Sequence, residues 1–496
     1  MLKKIRVVLA IVSLVALTLL FLDFTGTASA LWGWLAKLQF MPAVLACNFV
    51  ALIILLVLTL VFGRIYCSVI CPLGIMQDGV NFIRGHVGKK SKRKNRFAFK
   101  PELTIVRALV LTLFCICVIC GFLTIAALIE PYSEYGRIVS AFLAPVYDSA
   151  NNLLADMAAS RDSYTFYHVD PPAVFIPALI LSGVTLVVVA LFAWFTGRGY
   201  CNTICPVGTI LGYLSKFSLL KPVIDTNLCN GCRKCERNCK ASCINAKTHS
   251  IDYSRCVDCM DCVENCSTGA IRYTWHRTFA PLTPSATDKS RRKFMASGAV
   301  IVGALAAKAE DKLTDGGFAE ITPKTKPSRS GRIVPPGAVS LDNLTSRCTM
   351  CQLCISECPN GVLRPSMDAA TFMQPEVSYE NGYCRPECTR CSSVCPAGAI
   401  RPIDRAEKSA IHIGAAAVNL DLCLSATAQA SCGKCSRKCP AGAIEMVAME
   451  PAIEGSPLMP VVNDAACIGC GACENLCPVS PVSAIVVNGY EVHRHG

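Results

Sequence analysis

The chain has 496 residues, of which 33 are cysteine, and its net charge is +13 with only 17% charged and 52% hydrophobic residues. A chain of this length builds full cores without disulfides, so we interpret the cysteines as ligands, and the apolar runs favour a membrane over nucleic acid as the partner of the positive charge. There is no Cys-x-x-Cys-His, no Gly-x-Gly-x-x-Gly, no complete Walker loop and no histidine inside an apolar segment, so we expect no haem, flavin or nucleotide.

Four apolar segments, near 5–24, 44–63, 104–129 and 173–196, are long enough to cross a bilayer. The loop 64–100 holds nine basic residues, whereas the loops 25–43 and 130–172 hold one and two. Since Lys and Arg accumulate on the cytoplasmic side, we predict a four-span α-helical bundle, residues 1–220, in a bacterial inner membrane. Residues 197–293 are then cytoplasmic, and the basic run 89–100 is expected to contact anionic lipid.

The second and fourth segments end in the same pattern, GRIYCSVICPLG at 63–74 and GRGYCNTICPVG at 197–208. We interpret it as an internal repeat of two helical hairpins, each ending in a paired thiol at the membrane surface. Cys67, Cys71, Cys201 and Cys205 are therefore candidate redox or metal thiols. Four other cysteines within the apolar segments are expected to be small buried hydrophobes: Cys47, Cys115, Cys117 and Cys120.

A fifth apolar stretch, 294–307, has the length of a signal-peptide core and follows the twin-arginine pattern SRRKF at 290–294. We predict that 276–309 is a linker followed by a twin-arginine signal or anchor. Residues 310–340, rich in Pro, Gly, Ser and Lys, are expected to be a flexible linker. Residues 341–496 then form a periplasmic domain, because no further span follows.

Six cysteine motifs, numbered here in chain order, supply 24 candidate metal ligands. They are Cys229, Cys232, Cys235 and Cys239 (motif 1); Cys256, Cys259, Cys262 and Cys266 (motif 2); Cys348, Cys351, Cys354 and Cys358 (motif 3); Cys384, Cys388, Cys391 and Cys395 (motif 4); Cys423, Cys432, Cys435 and Cys439 (motif 5); and Cys467, Cys470, Cys473 and Cys477 (motif 6). Closely spaced cysteines wrap one face of an iron–sulfur cube, and the fourth ligates the other cluster of a pair. Zinc hooks lie farther apart and disulfides need no such repetition, so we expect six [4Fe–4S] clusters.

The motifs resemble those of bacterial ferredoxins and polyferredoxins, in which each pair forms a small α+β domain. The resemblance implies one such domain at 221–275, where Cys266 completes the cluster of motif 1 and Cys239 that of motif 2. This pair departs from the pattern, because Lys240 and Ser267 stand in place of the usual proline. Cys243 is also a rival ligand there.

The first half resembles NapH-type membrane proteins in its spans, its repeated turns and its ferredoxin pair. The second half resembles NapG-type proteins in its signal, in Pro-Pro-Gly-Ala at 335–338 and in its four motifs. A fusion of the two implies an electron-transfer component of a quinol dehydrogenase, with the quinol pool as donor and a periplasmic cytochrome or reductase as acceptor. In related four-cluster subunits motif 3 pairs with motif 6 and motif 4 with motif 5. That pairing implies the ligand sets Cys348/351/354/477, Cys467/470/473/358, Cys384/388/391/439 and Cys423/432/435/395.

NapH-like proteins also resemble factors that reduce copper or help to assemble copper enzymes. In that alternative the paired thiols of the repeated turns would handle metal rather than electrons alone.

Overall fold

The structure is a computed structural model that describes residues 2–23, 25–87, 97–163, 165–169, 175–275, 323–427, 431–451, 453 and 456–496, with the backbone of 314–315 and 319–320. The signal-like stretch 294–307 lies outside the described residues. Helices dominate the first 220 residues: α1 Leu2–Leu22, α2 Thr27–Lys37, α3 Phe40–Leu45, α4 Phe49–Phe62, α5 Tyr66–Val69, α6 Pro72–His86, α7 Thr104–Ile119, α8 Leu123–Leu128, α9 Pro131–Ile138, α10 Ala144–Ala159, α11 Ile176–Thr196, α12 Gly199–Thr203 and α13 Pro206–Ser215. A π-helical turn, Val139–Leu143, joins α9 to α10.

The remaining elements are short. Ferredoxin unit 1, residues 220–275, contains β1 Leu220–Ile224, α14 Lys234–Arg237, β2 Ile244–Asn245, β3 Ser250–Ile251, α15 Asp261–Glu264 and β4 Ile271–Trp275, and a strand pair, β5 Thr314–Asp315 and β6 Ala319–Glu320, follows. Ferredoxin unit 2, residues 323–496, contains α16 Leu341–Arg347, α17 Leu353–Ser356, β7 Leu363–Pro365, the 3₁₀ turn Ala369–Thr371, β8 Pro375–Val377, α18 Arg390–Val394, α19 Arg405–Ala410, β9 Ile411–Val418, α20 Lys434–Arg437, β10 Ile444–Ala448, β11 Leu458–Val462, α21 Ala472–Asn475 and β12 Ile485–His495. All strand pairs are antiparallel: β1 with β4, β2 with β3, β5 with β6, β7 with β8, β9 with β12 and β10 with β11.

Two helices, α1 and α11, are 21 residues long and apolar enough to cross a membrane. By itself this length and composition is weak support, since a signal sequence or a soluble core helix shares it. Among the described residues no other helix meets this criterion, so the predicted four-span bundle is not supported. In the second segment Asn48 accepts a hydrogen bond from the backbone of Ala51 and starts α4 late, leaving 14 residues. In the third segment α7 ends after 16 residues, and the chain turns at Gly121, where φ is 81°.

Large apolar side chains are exposed along one face of each of four helices, α1, α4, α7 and α11. Examples are Val8, Ile53, Leu109 and Val187, one from each helix, which are 57% to 63% exposed. Contiguous apolar surface of this extent on a protein marks a contact with a membrane or a partner.

The structure moves the boundary of the C-terminal domain upstream. Residues 323–340 were predicted to be part of a flexible linker, but Ile333 and Val334 are buried in the core of ferredoxin unit 2. The Lys324 ammonium donates to the carbonyl oxygens of Glu474 and Asn475 at 2.7 and 2.9 Å. A composition rich in Pro and Gly predicted a linker, yet the apolar pair within it anchors the segment.

The two ferredoxin units contact opposite ends of α1. Near its N-terminus the Lys3 ammonium lies 3.1 Å from an Asp261 carboxylate oxygen of unit 1. Near its C-terminus Leu17 and Phe21 pack in one apolar cluster with Leu353 of unit 2. At 1.5 Å per residue, 21 residues span roughly 30 Å, which is the thickness of a bilayer's hydrocarbon core.

Asp78 on α6 joins α1, the second repeat and ferredoxin unit 1. Its carboxylate accepts a hydrogen bond from Arg198 Nε at 3.0 Å, lies 3.5 Å from Lys240 Nζ and forms an ion pair with Arg6. Burial raises the pKa of Asp78, but these three cations outweigh burial and hold the pKa well below its usual range. The carboxylate therefore stays ionised at the centre of the assembly.

We predict that Asp78→Asn lowers the free energy of unfolding by about 3–5 kcal/mol, because it leaves buried cations around a neutral amide. The measurement is denaturant unfolding of the purified protein in detergent, followed by circular dichroism. Asp156→Asn, at an exposed position of α10, is the charge-matched control and should change little. Equal effects of the two substitutions would contradict the role given to Asp78.

Candidate iron–sulfur centres

In ferredoxin unit 1 the thiols group as the ferredoxin rule predicts. One cavity, which we call centre A, is lined by Cys229, Cys232, Cys235 and Cys266. A second cavity, centre B, is lined by Cys239, Cys256, Cys259 and Cys262. Helices α14 and α15 pack against each other between the two cavities, which places the fourth cysteine of each motif at the other motif's cavity.

Cys243 also lines centre B, so the rival ligand predicted from the sequence is present at the cavity. Its Sγ lies 3.5 Å from Sγ of Cys239. Lys240, which replaces the usual proline, has a different role: its carbonyl oxygen accepts a hydrogen bond from the Arg198 backbone at 2.9 Å, and its ammonium lies 3.0 Å from Asp261. The departure from the ferredoxin pattern therefore docks unit 1 onto the helical domain, residues 1–220.

A left-handed residue directly after the second cysteine curls five of the six cysteine loops. The five positions are Arg233, Met260, Gln352, Gly433 and Gly471, with φ between 57° and 115°. Motif 4 differs, because three residues separate its first two cysteines and Thr389 has φ −119°. For residues with a Cβ the left-handed conformation costs on the order of 1–2 kcal/mol. The loops therefore keep an unfavourable backbone conformation that positions their cysteines around the cavity.

In ferredoxin unit 2 the pairing implied by the resemblance is wrong. Centre C combines Cys348, Cys351 and Cys354 with Cys395, and centre D combines Cys384, Cys388 and Cys391 with Cys358. Centre E is lined by Cys439, Cys467, Cys470 and Cys473, and centre F by Cys423, Cys432, Cys435 and Cys477. Motif 3 therefore pairs with motif 4, and motif 5 with motif 6. The reason is local packing, because α17 packs against α18 and α20 against α21.

The four centres of unit 2 lie in the order C, D, E, F. Centres D and E are joined directly, since the backbone N–H of Cys384 donates to the carbonyl of Cys470 at 2.9 Å. The buried Tyr379 ring lies beside this junction and its hydroxyl donates to the carbonyl of Gly469. A Cβ at Gly471 would lie 2.3 Å from that ring, so glycine is required there.

Lys408 on α19 points its ammonium at centre D. The side chain is buried, donates to Cys384 Sγ at 3.3 Å and donates to the carbonyl oxygen of Arg385 at 2.6 Å. Burial raises the pKa of the Cys384 thiol and Lys408 opposes that rise. A buried cation hydrogen-bonded to a cluster ligand stabilises added negative charge. No pattern in the sequence singled this lysine out.

The paired thiols of the repeated turns come together in the helical domain, residues 1–220. Cys67, Cys71, Cys201 and Cys205, which we call the tetrad, are 3% to 4% exposed. Cys67, Cys71 and Cys205 belong to one apolar cluster with Val257, and Cys259 of centre B packs against that cluster. The sequence predicted paired thiols at the membrane surface, and the structure places them beneath ferredoxin unit 1.

The donor sets fit iron–sulfur clusters, because four cysteine sulfurs surround each of centres A to F. Backbone N–H groups point at several of these sulfurs, such as Met350 N–H at 3.4 Å from Cys348 and Ala443 N–H at 3.3 Å from Cys439. In the part of the chain that the structure describes, no three His, Cys, Asp or Glu side chains converge tightly enough to hold a single metal ion.

Comparison with known families finds three iron–sulfur matches. Residues 47–90 and 176–224 match the family described as a 4Fe-4S binding domain, and these ranges contain the two repeated turns. Residues 252–362 and 430–480 each match a 4Fe-4S dicluster domain. The match at 252–362 joins motifs 2 and 3, which the structure places in different units. The chain therefore contains several ferredoxin-type 4Fe-4S domains.

Among curated proteins, the methylamine utilization ferredoxin-type protein MauN of Paracoccus denitrificans is 25% identical over 38% of this chain and 52% of its own length. Two uncharacterized proteins of Methanocaldococcus jannaschii are 24% and 23% identical over 43% and 39% of the chain, and 66% and 63% of their own lengths. The chain thus spans between half and two thirds of the relatives it matches. No solved structure matches the chain significantly. These similarities and the domains above make it an iron–sulfur electron-transfer protein.

The pairing in unit 2 is tested by combining substitutions. We predict that Cys395→Ser with Cys354→Ser removes one cluster, about four irons per chain, because both ligate centre C. Cys395→Ser with Cys435→Ser should remove two clusters, about eight irons. Iron and acid-labile sulfide are measured after anaerobic purification. If the second combination loses only four irons, Cys395 completes centre F and the structural pairing is wrong.

Lys408 should set the reduction potential of centre D. A hydrogen bond from a charged donor is worth roughly 1.5–3 kcal/mol, and 1.4 kcal/mol corresponds to about 59 mV for one electron. We predict that Lys408→Met lowers one cluster potential by on the order of 50–100 mV in a redox titration followed by electron paramagnetic resonance. Lys408→Arg, which keeps the charge, should shift it far less. Unchanged potentials in Lys408→Met would show that the ammonium does not act on the cluster.

Proposed function

We propose that this protein is a membrane-bound electron conduit that passes electrons from the quinol pool through six [4Fe–4S] clusters to a periplasmic acceptor. In this proposal residues 1–220 lie in a bacterial inner membrane as a multi-pass domain, unit 1 is cytoplasmic and unit 2 is periplasmic. The NapH–NapG resemblance supports a respiratory context of the nitrate-reductase kind, with a cytochrome or reductase as acceptor.

The observation that carries the proposal is the contact of the two units with opposite ends of α1. Lys3 contacts Asp261 and Glu264 of unit 1, and Leu17 and Phe21 contact unit 2 about one bilayer thickness away. In this arrangement lipid would cover the exposed apolar faces of α1, α4, α7 and α11. The basic residues Lys3, Lys4 and Arg6 at the start of α1 and those that follow α6 support the same orientation.

Each bound cluster exchanges one electron, so a row of clusters divides the two-electron oxidation of a quinol, which also releases two protons. The residues of the chain supply the ligands and exclude water. Cys351 of centre C is buried in the apolar cluster that contains residues of α1 and α9, whereas all four thiols of centre F, like those of centre D, are partly exposed. The contact of centre C with α1 and α9 favours entry of electrons at this end of unit 2, and exit at centre F, the other end of the row.

The test is anaerobic addition of menadiol to membranes that contain the protein, followed by electron paramagnetic resonance. We expect quinol-dependent reduction of the clusters, and dithionite added to detergent-solubilised membranes is the control that reduces them regardless of route. If dithionite reduces the clusters and quinol does not, the proposed donor is wrong. Rapid oxidation of reduced clusters by Cu(II), together with failure of quinol, would favour the copper-reductase alternative.

A further inference from the structure

The tetrad lies in a part of the helical domain that both ferredoxin units approach. On one side Val257 and Cys259, from the loop of centre B, pack in or against the tetrad's apolar cluster. On the other side Ile138 of α9 belongs to the same cluster. Tyr132 and Tyr135, from the same helix, belong instead to the cluster that contains Cys351 of centre C.

Helix α9 is therefore a short bridge between the tetrad and centre C. Its eight residues span about 12 Å. Contact with centre C is close, since a Cβ at Gly136 would lie 2.5 Å from the carbonyl oxygen of Cys351. Contact with the second repeat runs through Glu134, whose buried carboxylate accepts a hydrogen bond from the Tyr200 hydroxyl.

The two repeats exchange arginines around the tetrad. Arg64 of the first repeat donates to the carbonyl of Cys201 at 3.3 Å, and Arg198 of the second donates to the carbonyl of Cys67 at 2.9 Å. Each guanidinium also reaches a thiol: Arg64 lies 3.8 Å from Cys67 Sγ, and Arg198 lies 4.0 Å from Cys201 Sγ. Gln77 donates to Cys201 Sγ at 3.2 Å.

The positive charges of the two arginines favour an anion at the tetrad. Both arginines are fully buried. Arg198 shares Asp78 with Arg6 and Lys240, while the Arg64 guanidinium donates to neutral groups, Asn202 Oδ1 at 2.8 Å and the Ser254 carbonyl at 3.1 Å. Buried guanidinium groups are costly unless negative charge lies beside them. An iron–sulfur cluster with four thiolates carries a net charge of about −2.

We propose that Cys67, Cys71, Cys201 and Cys205 hold a seventh iron–sulfur cluster, which lies between centres B and C and relays electrons between the two ferredoxin units. The relay adds to the proposed conduit but does not depend on quinol as donor. Each step moves one electron, so the cluster is reduced by one neighbour and reoxidised by the other with no bond made or broken. The match of both repeats to a 4Fe-4S binding domain agrees with this assignment.

The site is tested by counting iron and acid-labile sulfide in the wild-type protein after anaerobic purification. Seven [4Fe–4S] clusters predict about 28 irons per chain, and a [2Fe–2S] cluster in the tetrad predicts about 26. Cys67→Ser with Cys201→Ser should return the count to about 24. Cys117→Ser, a buried cysteine of α7 outside the tetrad, is the matched control and should leave the count unchanged. A wild-type count of 24 overturns the site, whether or not the double variant folds.

The relay is tested in everted membrane vesicles, where unit 1 faces the medium and dithionite does not cross the membrane. In wild type we expect centres A to F to become reduced. In the tetrad variant only centres A and B should be reduced, about a third of the signal, while detergent should restore all six. Reduction of unit 2 at the wild-type rate in intact variant vesicles overturns the relay. Since dithionite supplies the electrons, failure of the quinol experiment leaves this result unaffected.

Discussion

Arg64 and Arg198 lie against each other's cysteine loops, and the arrangement of the whole chain depends on this exchange. Each arginine binds a carbonyl of the other repeat through its guanidinium. Through its backbone N–H each also binds unit 1, Arg64 at Asp258 and Arg198 at Lys240, both at 2.9 Å. A buried guanidinium that loses such partners costs several kcal/mol, so the two repeats and unit 1 are held together as one assembly. The residue before each arginine is a glycine with φ 72°. A Cβ at either glycine would also lie within 2.4 Å of unit 1, so no larger residue fits there.

The contact between the two repeats also explains the other features of the repeated pattern. Cys71 and Cys205 are the N-cap residues of α6 and α13, and proline follows each at the first helical position, where its missing N–H costs nothing. A Cβ at Gly74 or Gly208 would lie 2.3 or 2.2 Å from the cysteine carbonyl of its own repeat and within 2.8 Å of the other repeat's arginine. The repeat therefore encodes an interface between its own two copies, with the tetrad at its centre.

How much the sequence could predict differs between the two ferredoxin units. The ferredoxin resemblance was enough for centres A and B, because unit 1 contains only two motifs and they can exchange their fourth cysteines in only one way. In unit 2 spacing shows only that a fourth cysteine such as Cys395 leaves its own motif; which neighbour it reaches depends on the packing of α17 on α18, a tertiary contact. Hydropathy likewise found four apolar segments but not the interruptions at Asn48 and Gly121. The sequence shows Arg64 and Arg198 at the same position of the two repeats, but it does not show which groups of the other repeat each arginine contacts.

The structure also accounts for part of the charge of +13. Six oxidised clusters would carry about −12, and the proposed seventh would bring the sum to about −14, which would leave the chain with its clusters close to neutral. Buried or half-buried cations lie beside successive centres: Lys240 near Cys259 of centre B, Arg332 near Cys348 of centre C, Lys408 at centre D and Lys324 near Cys477 of centre F. Low-dielectric surroundings strengthen each of these contacts. The cation beside each of these centres therefore stabilises the negative charge there more than the net charge of the whole chain does. Part of the positive charge that suggested an anionic partner therefore lies inside the protein, along the line of centres.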